Sequence, residues 1–546
     1  MPSVSAHVAL TLAAHVDDVF GVMGNGNAHL LDALARDTDA VYTAVRHEAG
    51  AVVAADAYFR ASGRIAAATT TYGAGFTNML TALAEAVQAH VPLVLLVGDE
   101  PTPGPRPWDV DQISLASAVG ARTYTVGRTD AAATVVIALE HALAYRVPVV
   151  LAIPYDVATV DAGPVPAVPG PRLPPPVRPS GEFAHGTIER LARALDDAER
   201  PLLLAGRGAF LAGAGPALRA LADATGALTT STALGRGIFD PAYDLGVAGG
   251  FGADAAMATV READVAVVFG ASLNQFTMRF GELFGPRTQV FQVDVAGTPT
   301  HPNVSGFVRA DARVIAEHLA AAVTAHARGW RDRFDTKALR AYDPGDATTP
   351  DGLLDPRAAA RLIGELLPAD RIVVSDGGHF IGWANMYWPV AGPDRMMMVG
   401  TAYQSIGLGF PSVVGAALAR QEPTIVLTTG DGGGLMALAD MESAVRAASG
   451  RGMAVVWNDA AYGAEIHVYG RKGLAQEPML IPQVDFAALA IAVGAQGVVV
   501  RTPADLEPLA RWTAEDPASR PFLLLDLRVS PTVVAPYQQE ILRAGG

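Results

Sequence analysis

The chain has 546 residues, of which 50% are hydrophobic and 17% are charged, and it carries a formal net charge of −15. This length predicts about three domains, and the acidic balance argues against nucleic acid as a partner. Cysteine is absent, which excludes disulfides and thiolate chemistry, and because the apolar runs are too short to cross a bilayer and the N-terminus lacks the positive flank of a signal peptide, we expect a cytoplasmic protein without a membrane partner.

Residues 1–162 alternate apolar runs with helical patterns, which is typical of a doubly wound α/β domain. Strands are predicted near 18–22, 41–44, 65–70, 93–97 and 149–153, and helices at 28–34, 48–59 and 78–88. The proline-rich segment 163–179 that follows cannot enter the interior of a sheet. We therefore predict an exposed linker there.

A second α/β pattern occupies residues 183–340, with helices predicted at 187–195 and 216–225 and strands at 202–205, 265–269 and 289–293. Gly206, Arg207 and Gly208 follow the first of these strands. They are compatible with a bound dinucleotide or nucleotide, FAD or ADP, but the three-glycine fingerprint is incomplete and a tight turn explains them equally well.

The third α/β unit, residues 356–546, follows a linker at 343–356 that is rich in Asp, Pro, Gly and Thr. Within it, a strand at 425–427 leads into a glycine loop at 430–434, a helix at 435–445, a strand at 453–457 and then Asn458-Asp459. Two strands joined by one helix are parallel, so the loop and the Asn-Asp pair are predicted at the same sheet edge. Amides at a helix N-terminus suit a diphosphate, and the side-chain oxygens suit Mg2+.

Gly-Asp-Gly at 430–432 and Asn458-Asp459 resemble the cofactor motif of thiamine diphosphate (ThDP) enzymes, in the family of acetolactate synthase, benzaldehyde lyase and 2-oxo acid decarboxylases. The resemblance covers essentially the whole chain. It implies three doubly wound parallel-sheet α/β domains: pyrimidine-binding (PYR) at 1–162, central at 183–340 and diphosphate-binding (PP) at 356–546. It also implies a homodimer, usually paired into a homotetramer, with active sites at the subunit interface.

By this resemblance Asp431 is one Mg2+ ligand. Counting from the glycine loop favours Asn458 as the second ligand, whereas anchoring on Tyr462-Gly463 favours Asp459, with the carbonyl of Ala461 as the third; we prefer Asp459. The cofactor contacts that the motif implies are Gly430, Asp431, Gly432, Gly433, Tyr462 and Gly463.

Glu48 stands in Arg46-His47-Glu48 at the start of the predicted helix 48–59, where the helix dipole favours a carboxylate. Spacing alone leaves this structural role and a catalytic role open. The segment resembles the catalytic glutamate segment of the acetolactate synthase and benzaldehyde lyase branch. Glu48 would then bind the cofactor pyrimidine and promote loss of the C2 proton, after which C2 attacks a carbonyl and holds the carbanion as an enamine.

Further PYR residues match family positions. Gly73 lies in a segment that resembles the glycine turn at the dimer contact. Asn25 and Gln112 match positions that face the substrate in relatives, and both fit a turn equally well.

In the PP domain, the resemblance implies that the backbone of Gln404 and Ile406 binds the pyrimidine. It also implies that Ile406 is the bulky side chain that bends the cofactor. A core isoleucine is the alternative. Gly378, His379 and Phe380 match a second diphosphate contact.

Three polar residues are candidates for proton transfer or acceptor positioning. His379 is near the expected diphosphate, and a satisfied structural histidine is the alternative. Glu465 and His467 border the expected substrate site, or form one polar helix face. The tail at 531–546 either closes over the cleft or frays.

We therefore expect an enzyme that uses ThDP and Mg2+ to cleave or form C–C bonds in 2-oxo acids or 2-hydroxy ketones, by decarboxylation or by acyloin-type carboligation. One alternative is the catalytic subunit of acetolactate synthase, although the arginine for its second keto acid is replaced near Asn274 to Phe276 and Ala464 to His467 do not match its acceptor region. A second is a 2-hydroxyacyl-CoA lyase, for which no basic cluster is evident. A third is a non-catalytic ThDP-binding subunit.

Overall fold

The computed structural model describes residues 2–324 and 329–544. In this part of the chain the strands form three parallel sheets of six strands each, with helices on both faces. The fold class predicted from the sequence is confirmed.

The first sheet has the spatial order β2-β1-β3-β4-β6-β5. Its strands are β1 (Asp18–Gly21), β2 (Val41–Ala44), β3 (Ala67–Thr70), β4 (Leu93–Asp99), β5 (Arg122–Thr125) and β6 (Pro148–Pro154). Its helices are α1 (Val4–Ala13), α2 (Ala28–Asp37), α3 (Glu48–Ser62), α4 (Ala74–Asn78), α5 (Leu80–Gln88), α6 (Gln112–Ala118) and α7 (Ala131–Tyr145).

The second sheet has the order β12-β11-β10-β7-β8-β9. Its strands are β7 (Pro201–Ala205), β8 (Leu228–Ser231), β9 (Asp244–Val247), β10 (Val265–Phe269), β11 (Gln289–Asp294) and β12 (Val304–Arg309). Its helices are α8 (Glu182–Asp197), α9 (Arg207–Leu211), α10 (Gly215–Thr225), α11 (Asp254–Arg261), α12 (Ala312–Ala322) and α13 (Thr336–Leu339).

The third sheet has the order β14-β13-β15-β16-β18-β17. Its strands are β13 (Arg371–Ser375), β14 (Met396–Met398), β15 (Thr424–Gly430), β16 (Gly452–Asn458), β17 (Gln496–Val500) and β18 (Leu523–Arg528). Its helices are α14 (Pro356–Leu366), α15 (Ile381–Tyr387), α16 (Gly409–Ala419), α17 (Asp431–Met436), α18 (Met441–Ala448), α19 (Gly463–Val468), α20 (Phe486–Ala492), α21 (Glu507–Ala514) and α22 (Pro536–Ala544).

The glycine segment after β15 differs from the sequence prediction. It is not a loop, because α17 begins at Asp431 and includes Gly432, Gly433 and Gly434. The single helix expected at 435–445 is also wrong: α17 ends at Met436 and α18 begins at Met441. The glycines fit this short helix because neighbouring side chains occupy the space a Cβ would need, as the ring of Tyr462 does at Gly432.

The first and third domains share one hydrophobic core. Helix α3 packs along α16, and their buried side chains belong to a single cluster. The two helices approach so closely that a Cβ on Gly415 would overlap the carbonyl oxygen of Ala54. Small residues at this crossing therefore fix the position of α3, which begins at Glu48.

No helix within residues 2–324 and 329–544 combines the length and the apolar character that crossing a membrane requires.

We predict that Gly415→Ala destabilises the protein by about 1–3 kcal/mol, because the added methyl group forces α16 away from α3. A lower urea midpoint of unfolding would show this. Gly186→Ala is the matched control, since nothing lies within 4 Å of its Cβ position in α8. The control should keep or raise the midpoint, because alanine adds up to about 1 kcal/mol of helix propensity. Equal midpoints for the two variants would contradict the packing argument.

Candidate active site

The carboxyl ends of three adjacent strands in the third sheet carry acidic residues. Asp376 follows β13, Asp431 follows β15, and Asp459 follows β16. Parallel strands end at the same edge of a sheet, which is where open α/β sheets bind ligands. The edge predicted from the sequence thus contains these side chains together.

Asp431 is buried and begins α17. Its Oδ1 accepts a hydrogen bond from the N–H of Gly432 at 2.9 Å. Its Oδ2 is buried and has no hydrogen-bond partner among the described residues. Burial raises the pKa of Asp431 to about 6, as expected for a carboxylate whose charge lacks a counter-ion.

Asp459 lies close enough to Asp431 for the two charges to interact. Burial, and then the charge of Asp431, raise the pKa of Asp459 to about 7. Its Oδ1 accepts a hydrogen bond from the N–H of Ala461 at 3.2 Å, in a turn where Ala460 has a left-handed φ of 58°. Two buried carboxylates that repel each other suit a divalent cation between them.

Asn458, the last residue of β16, is oriented by a neighbouring strand. Its Nδ2 donates to Asp526 Oδ1 at 2.9 Å and to the carbonyl of Val484 at 3.0 Å. Its Oδ1 is buried and unpartnered among the described residues. This oxygen can also serve as a ligand. In the described part of the chain there is no cluster of three or more His, Cys, Asp or Glu side chains that could hold a metal, so phosphate and carbonyl oxygens would have to complete a Mg2+ site here.

Glycines leave room for aromatic side chains around this edge. A Cβ on Gly378 or Gly430 would lie 2.7 or 2.9 Å from the ring of Phe380. A Cβ on Gly432 would lie 2.7 Å from the ring of Tyr462, and one on Gly463 would lie 2.8 Å from Asp459 Oδ2. The structure thus brings these predicted cofactor residues together.

Asp376 is a site residue that the sequence reasoning missed. It is fully buried, and its Oδ1 accepts N–H bonds from Gly377 at 2.8 Å and Gly407 at 3.0 Å. Its Oδ2 accepts from Thr429 Oγ1 at 3.1 Å. It therefore joins the loop after β13 to the end of β15 and to the loop that carries Ile406. The same signal that identified Asp431, an acidic residue directly after a predicted strand, was present at Asp376.

The loop before α16 contains Gln404 and Ile406, and it is joined to the acidic edge by the hydrogen bond from Gly407 N–H to Asp376. Gln404 is exposed and has a left-handed φ of 58°. Ile406 is half-buried, and its Cγ2 lies 3.0 Å from the Cβ position of Gly377. The side chain of Ile406 thus contacts the loop after β13 that also carries Asp376.

The C-terminal tail contacts the loop of His379. The N–H of Ala535 donates to His379 Nε2 at 3.0 Å, and the Tyr537 hydroxyl donates to the carbonyl of His379 at 2.9 Å. Burial, and then His467, lower the pKa of His379 to about 3. Because Nε2 accepts a hydrogen bond, the neutral ring carries its proton on Nδ1. The residues of the tail were not predicted, since a contact so distant in sequence has no local signal.

His467 and Glu465 lie on α19 in different environments. The rings of His467 and His379 have centroids 4.6 Å apart, and His467 Nε2 is buried without a partner among the described residues. Burial, and then Arg471, lower the pKa of His467 to about 4. Glu465 is exposed.

The PYR residues meet at the carboxyl edge of the first sheet. Gly73 has a φ of 62°, and its N–H donates to Gln112 Oε1 at 2.9 Å. Gln112 is buried, and its Nε2 donates to the Gly98 carbonyl and to Asp99 Oδ1, both at 3.0 Å. Both the oxygen and the nitrogen of the Gln112 amide are therefore hydrogen-bonded within the PYR domain.

Asn25 and Glu48 lie near residues on either side of Gly73. Asn25 Nδ2 donates to the Tyr72 hydroxyl at 2.7 Å. Glu48 is half-buried at the first position of α3, and its Oε2 accepts a hydrogen bond from Asn78 Nδ2 at 2.9 Å. Its Oε1 lies 3.5 Å from the Cβ position of Gly75.

Within the described chain, no hydrogen bond or ion pair joins Glu48 to the acidic pair Asp431 and Asp459. The start of α3 instead contacts the third domain through Asp440, whose Oδ1 accepts the N–H of Arg46 at 2.7 Å. Asp440 was also missed by the sequence reasoning, because nothing in its helical segment marks a contact between domains.

The glycine pair after β7 is engaged by its own sheet. The N–H of Gly206 donates to the Phe269 carbonyl, and the N–H of Gly208 donates to the Gly270 carbonyl, both at 2.9 Å. These two N–H groups are therefore already paired with backbone carbonyl groups.

Comparisons with known proteins agree with the architecture. Domain models of thiamine pyrophosphate enzymes match the chain in three places: the N-terminal TPP-binding domain at residues 2–115, the central domain at 188–319 and the C-terminal TPP-binding domain at 376–524.

Two curated relatives are acetolactate synthase subunits. The large subunit from Parasynechococcus marenigrum is 28% identical over 536 residues, covering 94% of this chain and 85% of the relative. The isozyme 2 large subunit from Escherichia coli is 27% identical over 445 residues, covering 80% of this chain and 79% of the relative.

A solved structure shares the fold. The thiamine diphosphate-dependent 4-hydroxybenzoylformate decarboxylase of Rhodococcus jostii RHA1 superposes with a TM-score of 0.79 at 20% identity, covering 97% of this chain and 99% of that one. The family resemblance inferred from the sequence is confirmed: the chain belongs to the thiamine pyrophosphate enzymes and is a ThDP-dependent enzyme.

Proposed function

We propose that this enzyme binds ThDP with Mg2+ and cleaves or forms C–C bonds in 2-oxo acids or 2-hydroxy ketones, by decarboxylation or carboligation. The observation that carries the proposal is the buried, uncompensated pair Asp431 and Asp459 beside a glycine-lined edge. When bound there, ThDP supplies a thiazolium ring able to accept the electron pair released at the substrate carbonyl carbon.

Asp431 Oδ2, the carboxylate of Asp459 and the carbonyl of Ala461 form the proposed Mg2+ site. The interaction between the two carboxylates supports Asp459 over Asn458 as second ligand. Asn458 is held by Asp526 and orients the end of β16.

The backbone around the acidic pair is the proposed diphosphate site. It comprises Gly378, His379, Phe380, Gly430, Gly432, Gly433, Tyr462 and Gly463. The first turn of α17 adds the partial positive charge of a helix N-terminus.

Glu48 is the proposed partner of the pyrimidine ring. Asn78 fixes one carboxylate oxygen and leaves Oε1 for a ring nitrogen. The backbone of Gln404 and the side chain of Ile406 would hold the other face of the cofactor, and Gly73 would let the PYR loop approach it.

The structure supports different roles for the polar candidates. His379 Nε2 is occupied by the N–H of Ala535, which supports a positioning role for the tail rather than proton transfer. His467 retains a free buried Nε2 and, with the exposed Glu465, remains the proposed donor or acceptor of protons. Asn25 is exposed and remains a proposed substrate contact, whereas Gln112 is engaged in supporting the loop of Gly73.

Acetolactate synthesis is the second candidate function, favoured by the names of the curated relatives. Phe276 weighs against it. Its ring packs against Phe251 with centroids 4.7 Å apart and against Tyr537 at 6.0 Å. An apolar ring at this place supplies no positive charge for the carboxylate of a second keto acid.

The proposed active unit is a homodimer, alone or paired into a homotetramer, in which Glu48 of one subunit serves the cofactor held by the other. Large apolar side chains are exposed on both domains. Trp108 of the PYR domain is 61% exposed, and Met436 of the PP domain is 55% exposed. Such side chains are expected to be covered by a partner.

The function is tested by incubating the protein with ThDP, Mg2+ and a panel of 2-oxo acids, with and without an aldehyde acceptor. Release of CO2 with a ligated product indicates a carboligase, and CO2 with free aldehyde indicates a decarboxylase. Cofactor binding measured by calorimetry without CO2 from any donor would exclude decarboxylation and favour a 2-hydroxyacyl-CoA lyase or a non-catalytic ThDP-binding subunit.

We predict that Glu48→Gln lowers kcat by at least about 100-fold, because the amide no longer matches the proton demand of the pyrimidine nitrogen. Binding of ThDP with Mg2+ should persist in calorimetry. Glu189→Gln on the exposed face of α8 is the matched control and should retain full activity. Full turnover by Glu48→Gln would remove the assigned role.

Mixed subunits test the shared site. Glu48→Gln and Asp459→Ala should each be inactive alone, because the alanine removes a proposed Mg2+ ligand. Equal co-expression should restore roughly a quarter of the wild-type sites, because half of the dimers then contain one intact site. Inactive mixed dimers, or an active monodisperse monomer, would show that both residues act within one chain.

The burial of His379 predicts a pH dependence of the free energy of unfolding. Its folded pKa of about 3 lies below the unfolded value near 6.5. The unfolded state therefore binds more protons between these values, so stability is present above pH 6.5 and is lost as the pH falls. His379→Gln keeps an acceptor for Ala535 without titrating. Between pH 7 and pH 5 its free energy of unfolding, measured in urea, should therefore fall less than that of the wild type, by about 1 kcal/mol per pH unit.

His318→Gln is the control, since this side chain on α12 is exposed in the folded chain. The same acid sensitivity in His379→Gln and in the wild type would contradict a buried neutral His379.

A further inference from the structure

Three charged side chains of the PYR domain form a buried network beside the third domain. Asp56 and Arg60 lie on α3, and Glu85 lies on α5. Their side chains are 2%, 6% and 1% exposed. Arg60 Nε donates to Asp56 Oδ1 at 2.5 Å, and Arg60 Nη2 donates to Glu85 Oε1 at 3.2 Å. Burying charges is costly even when they are paired, and two of these side chains also bind the backbone of the third domain.

The network binds the loop between β14 and α16 at two backbone groups. Glu85 Oε2 accepts a hydrogen bond from the N–H of Tyr403 at 2.7 Å. Arg60 Nη1 donates to the carbonyl of Met398, the last residue of β14, at 3.2 Å. The PYR domain therefore holds this loop of the third domain within the same chain.

Two adjacent residues of the loop are not held by core packing. Tyr403 is 51% exposed, and Gln404 is exposed with a left-handed φ of 58°. A non-glycine residue keeps such a φ only where surrounding contacts fix the backbone. The N–H that binds Glu85 belongs to the residue directly before Gln404, so this hydrogen bond supplies a contact of that kind.

A second carboxylate holds the same loop at its other end. Asp376 Oδ1 accepts a hydrogen bond from the N–H of Gly407 at 3.0 Å. Between the two anchored N–H groups lie residues 404–406, which include Gln404 and Ile406, the proposed contacts of the cofactor. Carboxylates from two domains thus fix both ends of this short segment.

We propose that Glu85 is a positioning residue for the cofactor: by accepting the N–H of Tyr403 it holds residues 404–406 in the conformation that binds the pyrimidine ring. Arg60 neutralises Glu85 and fixes its carboxylate, and Asp56 in turn holds Arg60. The inference rests on the proposed function, because that function assigns the loop to ThDP. Glu85 acts only through the loop and does not itself touch the cofactor.

The first test uses the full-length wild type without cofactor. Hydrogen exchange is measured by mass spectrometry on overlapping peptides that cover residues 399–408. The amide of Tyr403 should exchange slowly, because it donates to a buried carboxylate although its own side chain is exposed. Exchange at the rate of an unstructured peptide would overturn the proposal, and this result needs no variant.

Glu85→Met is the variant that removes the anchor. Methionine has a similar length but no strong acceptor, and Arg60 keeps its pair with Asp56. The amide of Tyr403 should exchange about tenfold faster, because a hydrogen bond to a charged group is lost. The dissociation constant of ThDP, measured by calorimetry with Mg2+, should also rise about tenfold. Turnover at saturating ThDP should fall less than this, because bound cofactor restores the loop.

Asp264→Leu is the matched control. It removes a carboxylate that accepts backbone N–H bonds from Glu199 and Arg200 in the central domain. It should leave both the exchange of residues 399–408 and the dissociation constant of ThDP unchanged. Equal effects in Asp264→Leu and Glu85→Met would overturn the proposal, because general destabilisation would then explain both.

The outcomes separate this inference from the proposed function. A wild type that binds no ThDP contradicts the proposed function. A wild type that binds ThDP no more tightly than Glu85→Met overturns only the role of Glu85. Faster exchange in Glu85→Met with an unchanged dissociation constant also overturns that role, since the loop then binds the cofactor without its anchor.

Discussion

The proposed site depends on three carboxylates that meet at one edge of the third sheet. Asp376, Asp431 and Asp459 follow β13, β15 and β16, which are neighbours in the sheet. Asp376 is satisfied by backbone N–H groups and a threonine hydroxyl. Asp431 and Asp459 instead repel each other in a buried place. The fold therefore tolerates an unfavourable charge pair where a divalent cation would supply the missing positive charge.

Helix α3 links the two halves of the proposed site. Its buried side packs on α16, and its first residue presents Glu48. Asp440 of the third domain accepts the N–H of Arg46, two residues before Glu48. The third domain thus orients, within one chain, the carboxylate that the proposed dimer offers to its partner. Asp440, which lies outside the proposed cofactor site, can therefore influence the geometry of Glu48.

Much of the fold could be read from the sequence, because central parallel strands such as β4 and β15 are continuous apolar runs buried on both faces. Short edge strands such as β14 were not predicted, since three residues carry too little pattern. Local motifs and the family resemblance made Asp431, Asp459 and Glu48 candidates. The contacts of Ala535 and Tyr537 with His379 could not be predicted, because they join residues more than a hundred positions apart and depend on tertiary packing.

The crossing of α3 and α16 also has a consequence for biosynthesis. The ribosome completes α3 at Ser62 but reaches α16 only at Gly409. At typical elongation rates this interval lasts on the order of half a minute. During that time the apolar face of α3 that Gly415 later covers has no partner in the nascent chain. The first domain therefore leaves this face of α3 uncovered until the last domain is synthesised, and an uncovered apolar face favours chaperone binding or aggregation during that interval.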